Sequence, residues 1–369
     1  MSQEEKNKKL VDVAKKTLLS MGYSIKTTHL YELFAKLGGY NHWSVAKSKQ
    51  LDISQVINKF LPQNNFTLDQ LKNFDEAYLK KEYQDKFFLG KILEKNKPFI
   101  VDMEKSPNLL IAGSMGTGKS ESLMSSLLVY LVNNSEKTSL FLVNTLKDMY
   151  EYDSLLTKNK SQDGYQKKYP QISEQIETLS KFTALLAALE NEYNERIKIF
   201  KSINTGKISE YEKFTGRKIN RCLIVIEEFN HLLNMIDFKD TFKTPGTPAN
   251  KLWILLKVGR SVGIWFLTVS QQANAAYIPP IILGNFLNKL ISQVPAPESH
   301  YLIGSPKASN LKDTDKGQFI SNSGELVSYN YLTENTELVY AILQKYMKSP
   351  LGSLLSESLQ KVLDGIYEK

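Results

Sequence analysis

Apolar positions along the chain change texture twice. In residues 1–55 they recur at helical spacing: Leu10, Val13, Leu18 and Leu19, then Leu30, Leu33, Phe34 and Leu37. That spacing predicts two amphipathic helices in a small helical unit. Gly38-Gly39 stops the second, and Tyr40-Asn41-His42-Trp43 opens a further turn in which Tyr40 and Trp43 are read as core. Residues 61–86 are polar, contain Pro62 and Asn64-Asn65, and read as a connector with one or two helical turns. From Phe87 on, short apolar runs alternate with helical stretches. Phe99-Ile100-Val101 and Leu109–Ala112 have strand length, and a helix is expected over 119–132. A strand at 139–143, a long helix over 173–202 and a strand at 222–226 follow. A helix over 251–262 and strands at 264–269 and 287–294 complete the series. Such alternation predicts an α/β fold with a mainly parallel sheet and helices on both faces. The end of the chain is amphipathic, with Leu338, Ile342, Tyr346, Leu354 and Leu355 on a packed face. The expected organisation is therefore a helical domain at 1–55, a linker at 56–86, an α/β domain at 87–335 and a helical tail at 336–369.

Composition alters little here, and charge more. At 369 residues, 42% hydrophobic and 23% charged, the chain reads as an ordinary globular protein with ample length for a core. No apolar run approaches the ~18 residues of a membrane helix, and MSQEEKNKKL is too polar for a signal peptide. A single cysteine, Cys222, excludes a disulfide framework and a cysteine-built zinc site. His29 and His42 are too few for a metal site. The expectation is a cytoplasmic protein. Its net charge is +8, yet of 47 basic residues only Arg196, Arg217, Arg221 and Arg260 are arginine. A lysine bias with many Asn and Ile reads as an AT-rich genome. Arginine is then expected to persist where a planar fork, and not a point charge, is required.

Gly113-Ser114-Met115-Gly116-Thr117-Gly118-Lys119-Ser120 fits the phosphate-binding pattern G-x-x-x-x-G-K-[ST]. Its glycines let backbone N–H groups turn toward a β-phosphate, Lys119 neutralises β/γ oxygens, and Ser120 offers a hydroxyl to Mg²⁺. The motif follows an apolar strand and opens a helix, whose N-terminus favours an anion. Leu223-Ile224-Val225-Ile226-Glu227-Glu228 gives a buried strand ending in two carboxylates. Glu227 is placed to hold the metal and Glu228 to polarise an attacking water, although an Asp is commoner at the first position. Either carboxylate could instead cap the following helix. The strand at 264–269 ends in Ser270-Gln271-Gln272, where an amide can contact a γ-phosphate.

Several stretches, in order, resemble the FtsK/HerA superfamily of hexameric DNA-pumping ATPases. Leu89-Gly90-Lys91 with Pro98 to Asp102 is similar to the entry hairpin of FtsK-type motors, and NLLIAGSMGTGKS to their P-loop. Glu192 to Arg196, Ile203-Asn204 and Glu210-Tyr211 resemble the helix and loop before the acidic strand. IVIEEFNHLL resembles that strand, with the Glu-Glu pair and His231 nearer the HerA branch. Gly259-Arg260-Ser261-Val262-Gly263-Ile264 and Val269-Ser270-Gln271 are similar to the arginine-glycine helix and the glutamine strand. Leu311 to Ile320 resembles the terminal hairpin. The resemblance covers roughly residues 86–330 and implies a RecA-like, FtsK-type P-loop NTPase. It implies that Gly113 to Ser120 bind ATP, that Ser120 and Glu227 hold Mg²⁺, and that Glu228 activates water. It also implies that Gln271 senses the γ-phosphate and that Arg260 reaches the neighbouring subunit's nucleotide. Where these motors often carry a second arginine, this chain has Glu298-Ser299-His300, so no finger is expected there. The N-terminal 55 residues, with the stretch Leu33 to Trp43, resemble a small helical domain, labelled glyoxalase-related, of plasmid and mobile-element proteins, with no glyoxalase activity implied.

The function expected from the resemblance is an ATP-hydrolysing translocase of double-stranded DNA, serving plasmid or mobile-element transfer. Its expected partners are non-specifically bound DNA, copies of itself in a hexameric ring, and a relaxase or a secretion or membrane partner. Lysine-dominated phosphate contacts suit a motor that must slide, and candidate loops carry Lys239 and Lys243, or Lys207, Lys213 and Lys218. A viral genome-packaging ATPase of the same superfamily and a protein-remodelling P-loop ATPase are the alternatives.

Overall fold

The computed structural model describes residues 3–20, 26–37, 40–51, 53, 73–74, 76–146, 149, 152–156, 158–161, 164–167, 169–312, 314–329, 336–348 and 355–367. Much of the expected linker, Gly38-Gly39 and Leu354 lie outside these residues. The chain divides into two compact units, Met1–Thr67 and Leu68–Lys369.

The N-terminal unit holds helices Gln3–Ser20, Thr27–Leu37 and Trp43–Ser48. Val11, Leu30, Phe34 and Ile53 form its core, with Tyr31, Trp43 and Leu51 packed against it. At about 100° per residue, Leu33 and Phe34 fall on opposite sides of Leu30; Phe34 is buried and Leu33 is exposed. Of the side chains at Leu10, Val13, Leu18 and Leu19 nothing is described. Asn7 ties the unit together: its Nδ2 donates to the Leu51 carbonyl (2.7 Å) and its Oδ1 accepts from the Ile53 amide (3.1 Å).

The larger unit is built on a ten-stranded sheet. Its strands are β1 (Phe87–Ile92), β2 (Lys97–Val101), β3 (Leu109–Ala112), β4 (Thr138–Val143), β7 (Ile172–Ile176), β8 (Arg221–Ile226), β9 (Ile264–Ser270), β10 (Asn288–Ile291), β11 (Gln318–Ser321) and β12 (Leu326–Ser328). A separate two-stranded ribbon pairs β5 (Lys158–Ser161) with β6 (Gly164–Lys167). The sheet order is β2-β1-β12-β11-β10-β3-β9-β8-β4-β7. From β10 to β7 every pairing is parallel, and from β10 to β2 every pairing is antiparallel. Successive strand residues point to opposite faces, and every residue of β3, β4, β8 and β9 is buried. Both faces of the parallel half are therefore covered, which is why these strands read as unbroken apolar runs.

Three expected elements differ. The helix over 173–202 begins only at Leu179, capped by the Thr178 hydroxyl, which accepts from the Lys181 amide. Its first residues belong to β7, whose Ile172 and Ile176 are buried while Glu174 and Gln175 stay half-exposed. A polar centre on an edge strand mimics helical continuation. The helix over 251–262 starts earlier, at Pro248 behind a Thr247 cap, and turns into a tight 3₁₀ turn at Gly259–Val262. The hairpin expected over 311–320 is formed by β11 and β12 instead.

Two of the four arginines are buried and paired. Arg196, on helix Leu179–Ser202, donates from Nε to Glu192 Oε1 (2.5 Å). Its Nη2 reaches Cys222 Sγ (3.5 Å); burial pushes that thiol up to about 12, so Cys222 is no nucleophile at neutral pH. Arg221 forks onto Glu212, which also accepts from the Ile219 amide (3.0 Å). Burial alone would raise the Glu212 pKa, but Arg221, the Ile219 amide and Lys218 outweigh it and hold the carboxyl below its ordinary value. The stabilisation from this pair is thus complete above the ordinary Glu range and is lost as pH falls through the lowered folded value. Glu212→Gln removes the carboxylate that Arg221 forks and leaves the buried guanidinium with the Ile219 carbonyl and Asp85 Oδ1 at 3.9 Å, at a cost of up to about 3–5 kcal/mol. It should also flatten the acid side of a plot of melting temperature against pH below about 4.5. An acid limb as steep as that of the unmodified chain would remove Glu212 from this account.

The C-terminal helices pack onto the larger unit. In helix Thr336–Tyr346, Val339, Ile342 and Leu343 are buried, with Tyr346 half-buried. Leu359, Val362 and Leu363 of helix Glu357–Leu363 join the main hydrophobic cluster. Ahead of that helix, the Ser356 amide donates to Glu192 Oε2 (2.6 Å).

Candidate functional site

β3 delivers the phosphate-binding loop to the C-terminal edge of the parallel strands. Gly113 has φ +147°, and a Cβ there would lie 1.7 Å from the Ser292 hydroxyl, so no other residue fits. Gly118 takes a left-handed conformation immediately before helix Lys119–Asn134. The loop is braced from both sides: the Gly113 amide donates to the Ser270 carbonyl (3.2 Å) and the Ser114 amide to the Gln293 carbonyl (3.0 Å). The Thr117 hydroxyl donates to the Ser114 carbonyl (2.9 Å) and pairs with the Ser292 hydroxyl at 2.8 Å. Lys119 Nζ reaches across the loop to the Ser114 carbonyl (2.7 Å). Met115 and Gly116 form the exposed tip, Met115 at 81%. Ser292 and Gln293 were not singled out from sequence, since a Ser-Gln pair after a strand carries no signal of its own.

The acidic pair sits beside this loop. The Glu227 amide extends the sheet ladder to the Val143 carbonyl (3.0 Å). Its carboxylate accepts from the Ser120 hydroxyl at Oε2 (3.0 Å) and from the Tyr152 hydroxyl at Oε1 (2.7 Å). Glu228 is in the left-handed region (φ 54°, ψ 48°) at the cap position of helix Phe229–Met235, but its side chain makes no capping bond. Its Oε1 accepts instead from Gln271 Nε2 (2.5 Å), at the tip of β9. A non-glycine residue held at positive φ costs about 1–3 kcal/mol and is retained where surroundings enforce it. The twist aims Glu228 at Gln271 while Glu227 faces Ser120. Both carboxylates are nearly buried. A serine hydroxyl and a carboxylate at hydrogen-bond distance are hard oxygen donors, the set that Mg²⁺ takes alongside nucleotide phosphates. Lys119, Ser120, Glu227, Glu228 and Gln271 thus converge from three neighbouring strands.

Arg260 does not join them. It is exposed on the 3₁₀ turn before β9, and its Nη1 lies 3.5 Å from the carbonyl of Lys105, which precedes β3. The loop and Gln271 follow those same strands. At about 3.3 Å per residue, the seven residues of β9 separate Arg260 from Gln271 by roughly 20 Å. The turn is seated from inside: Arg196 Nη1 donates to the Val262 carbonyl (2.5 Å). Arg196 is thus a support for the Arg260 turn. Arg217 is exposed, as are Lys207, Lys213, Lys218, Lys239 and Lys243. Lys207 and Lys218 already face Glu210 and Glu212. At the 298–300 stretch the Ser299 hydroxyl is turned inward to the Ser305 carbonyl and His300 is exposed.

The model of the FtsK/SpoIIIE family matches residues 72–284. The chain belongs to that family. The match spans the phosphate loop, the acidic pair, Arg260 and Gln271, and includes none of the N-terminal unit. DNA translocase FtsK of Campylobacter jejuni is 26% identical over 210 residues, 56% of this chain and 20% of that protein. FtsK of Rickettsia bellii is 23% identical over 277 residues, 66% of this chain and 35% of that protein. The chain therefore corresponds to a minor part of these relatives' length. The fold is also that of the pCW3 conjugation coupling protein TcpA, solved with ATPγS (TM-score 0.57, 20% identity, 73% of each chain). It is likewise that of the cytoplasmic domain of the Thermomonospora curvata type VII secretion ATPase EccC (TM-score 0.59, 18% identity, 80% of this chain and 35% of that one). Among the described residues of this FtsK/SpoIIIE member no helix is long and apolar enough to cross a membrane.

Proposed function

We propose that this FtsK/SpoIIIE-family chain is the motor subunit of an ATP-hydrolysing DNA translocase. The observation that carries the reading is the gathering of Lys119, Ser120, Glu227, Glu228 and Gln271 at one end of the parallel strands, with Arg260 at the other. In this reading Lys119 and the loop amides bind the ATP phosphates, and Ser120 and Glu227 hold Mg²⁺. The ion, when bound, neutralises charge developing on the phosphoryl oxygens. Glu228 accepts the proton of the attacking water, and Gln271, already bonded to Glu228, links that base to the tip of β9. Arg260 serves the next subunit's nucleotide, which calls for a ring; six members are proposed on family grounds. Exposed lysines supply sequence-independent contacts to double-stranded DNA. The cellular task is DNA transfer from a plasmid or other mobile element, in the cytoplasm, with a relaxase or a secretion or membrane component as partner.

ATPase rates with and without linear double-stranded DNA test this. Strong stimulation by DNA is expected, and its loss in Lys119→Ala. A rate indifferent to DNA would sink the translocase reading and favour a protein-remodelling ATPase on the same fold.

A further inference from the structure

We propose that Tyr152 is a positioning residue for the metal-holding carboxylate of Glu227. The inference rests on the reading of Glu227 given above and adds a residue that no motif marks.

Tyr152 is completely buried, and its hydroxyl donates to Glu227 Oε1 at 2.7 Å. The other oxygen, Oε2, faces Ser120 at 3.0 Å. A glutamate has one more rotatable bond than the aspartate commoner at this position, so its carboxylate needs external fixing. Two donors on opposite oxygens stop rotation about the terminal bond and leave Oε2 directed at the Ser120 hydroxyl. Partners beyond the ligands themselves commonly orient them in this way. The identity of the donor matters. A phenol is neutral, so it fixes Oε1 without a cation that would compete with a divalent ion for the carboxylate's charge. Its ring is wholly removed from solvent.

Tyr152 is itself held to the sheet. Its amide donates to the Met149 carbonyl (2.9 Å), the Met149 amide to Gln175 Oε1 (3.1 Å), and Gln175 Nε2 to the Asn144 carbonyl (3.1 Å). Asn144 follows β4 and Gln175 lies in β7, so the phenol is anchored to the two strands beyond β8. The position of Oε1 is thereby referred to the sheet.

Tyr152→Phe removes the donor and keeps the ring. The measurement is the affinity for a fluorescent ATP analogue, titrated with Mg²⁺ and repeated in EDTA. Removal of such an outer partner typically costs 10–100-fold in metal affinity. The half-saturating Mg²⁺ concentration should rise about 10-fold, with affinity in EDTA unchanged. This ratio does not depend on the fraction of protein folded, so a loss of stability alone leaves it fixed. In a Glu227→Asp background the shortened carboxylate no longer reaches the phenol, and Tyr152→Phe should add nothing further. An unaltered Mg²⁺ requirement in Tyr152→Phe, or equal losses with and without metal, would overturn the proposal. Glu227→Gln separates the two levels. If it too leaves the Mg²⁺ requirement unchanged, the metal-holding role of Glu227 fails; if only Tyr152→Phe does, Tyr152 alone is excluded.

Discussion

Glu228→Gln is expected to bind ATP with unchanged affinity and to hydrolyse it about a hundred- to ten-thousandfold more slowly. The two amino acids are nearly isosteric. The new amide can still meet Gln271 by presenting its oxygen to Nε2, so the left-handed turn at 228 keeps its support. The oxygen serving Ser120 belongs to Glu227 and is untouched by the change. What disappears is a basic oxygen able to accept a proton from water as the phosphoryl group is attacked. The loss should therefore fall on kcat, with binding of a fluorescent nucleotide preserved. Lys119→Ala should show the opposite balance, losing binding as well. Near-normal turnover in Glu228→Gln would transfer the base role to another group, and Glu227 would be the first to test.

The parts of this site that lie next to apolar runs were legible in the sequence. The phosphate loop follows Leu109–Ala112, the acidic pair follows Ile226, and Gln271 follows β9. Fully buried parallel strands announce themselves by composition, and what a strand tip carries is read directly from the next residues. Tyr152 is different in kind. It lies 75 residues from Glu227 and in a stretch, Met149-Tyr150-Glu151-Tyr152-Asp153, with no periodicity to mark it. Only the approach of β4 and β7 to β8 brings it to the carboxylate. The edge strand β7 was hidden for a related reason, since an edge position tolerates the polar residues that also suit a helix.

The scarcity of arginine was informative, though not uniformly. Arg221 and Arg196 satisfy the demand for a planar fork in the interior, on Glu212 and Glu192. A lysine cannot bridge two carboxylate oxygens, or one oxygen and a carbonyl, in that geometry. Arg196 and Arg260 both lie in stretches that resemble motifs of the family, yet the structure gives them separate stations, one inside the turn and one outside it. The Ser356 contact on Glu192 joins the C-terminal segment to the same buried network.

Arg260→Ala is expected to reduce ATP turnover of the assembled protein by about a thousandfold or more, the scale of an arginine finger. Nucleotide binding by the isolated chain should be unaffected, because Arg260 stands about 20 Å along β9 from Gln271 and its guanidinium reaches the Lys105 carbonyl instead. Arg260→Lys should recover little, as the charge would return without the fork that spans two phosphoryl oxygens. The decisive experiment mixes Arg260→Ala with Glu228→Gln subunits, each inactive alone. An Arg260→Ala subunit retains its own Lys119, Ser120, Glu227 and Glu228, and a Glu228→Gln neighbour retains Arg260. Interfaces of that composition are complete, so activity should reappear and pass through a maximum at intermediate ratios. Mixtures inactive at every ratio would remove the finger. A residue acting within its own chain also cannot produce this recovery. Glu228 follows β8 and Arg260 precedes β9, and parallel neighbours hold those two ends apart.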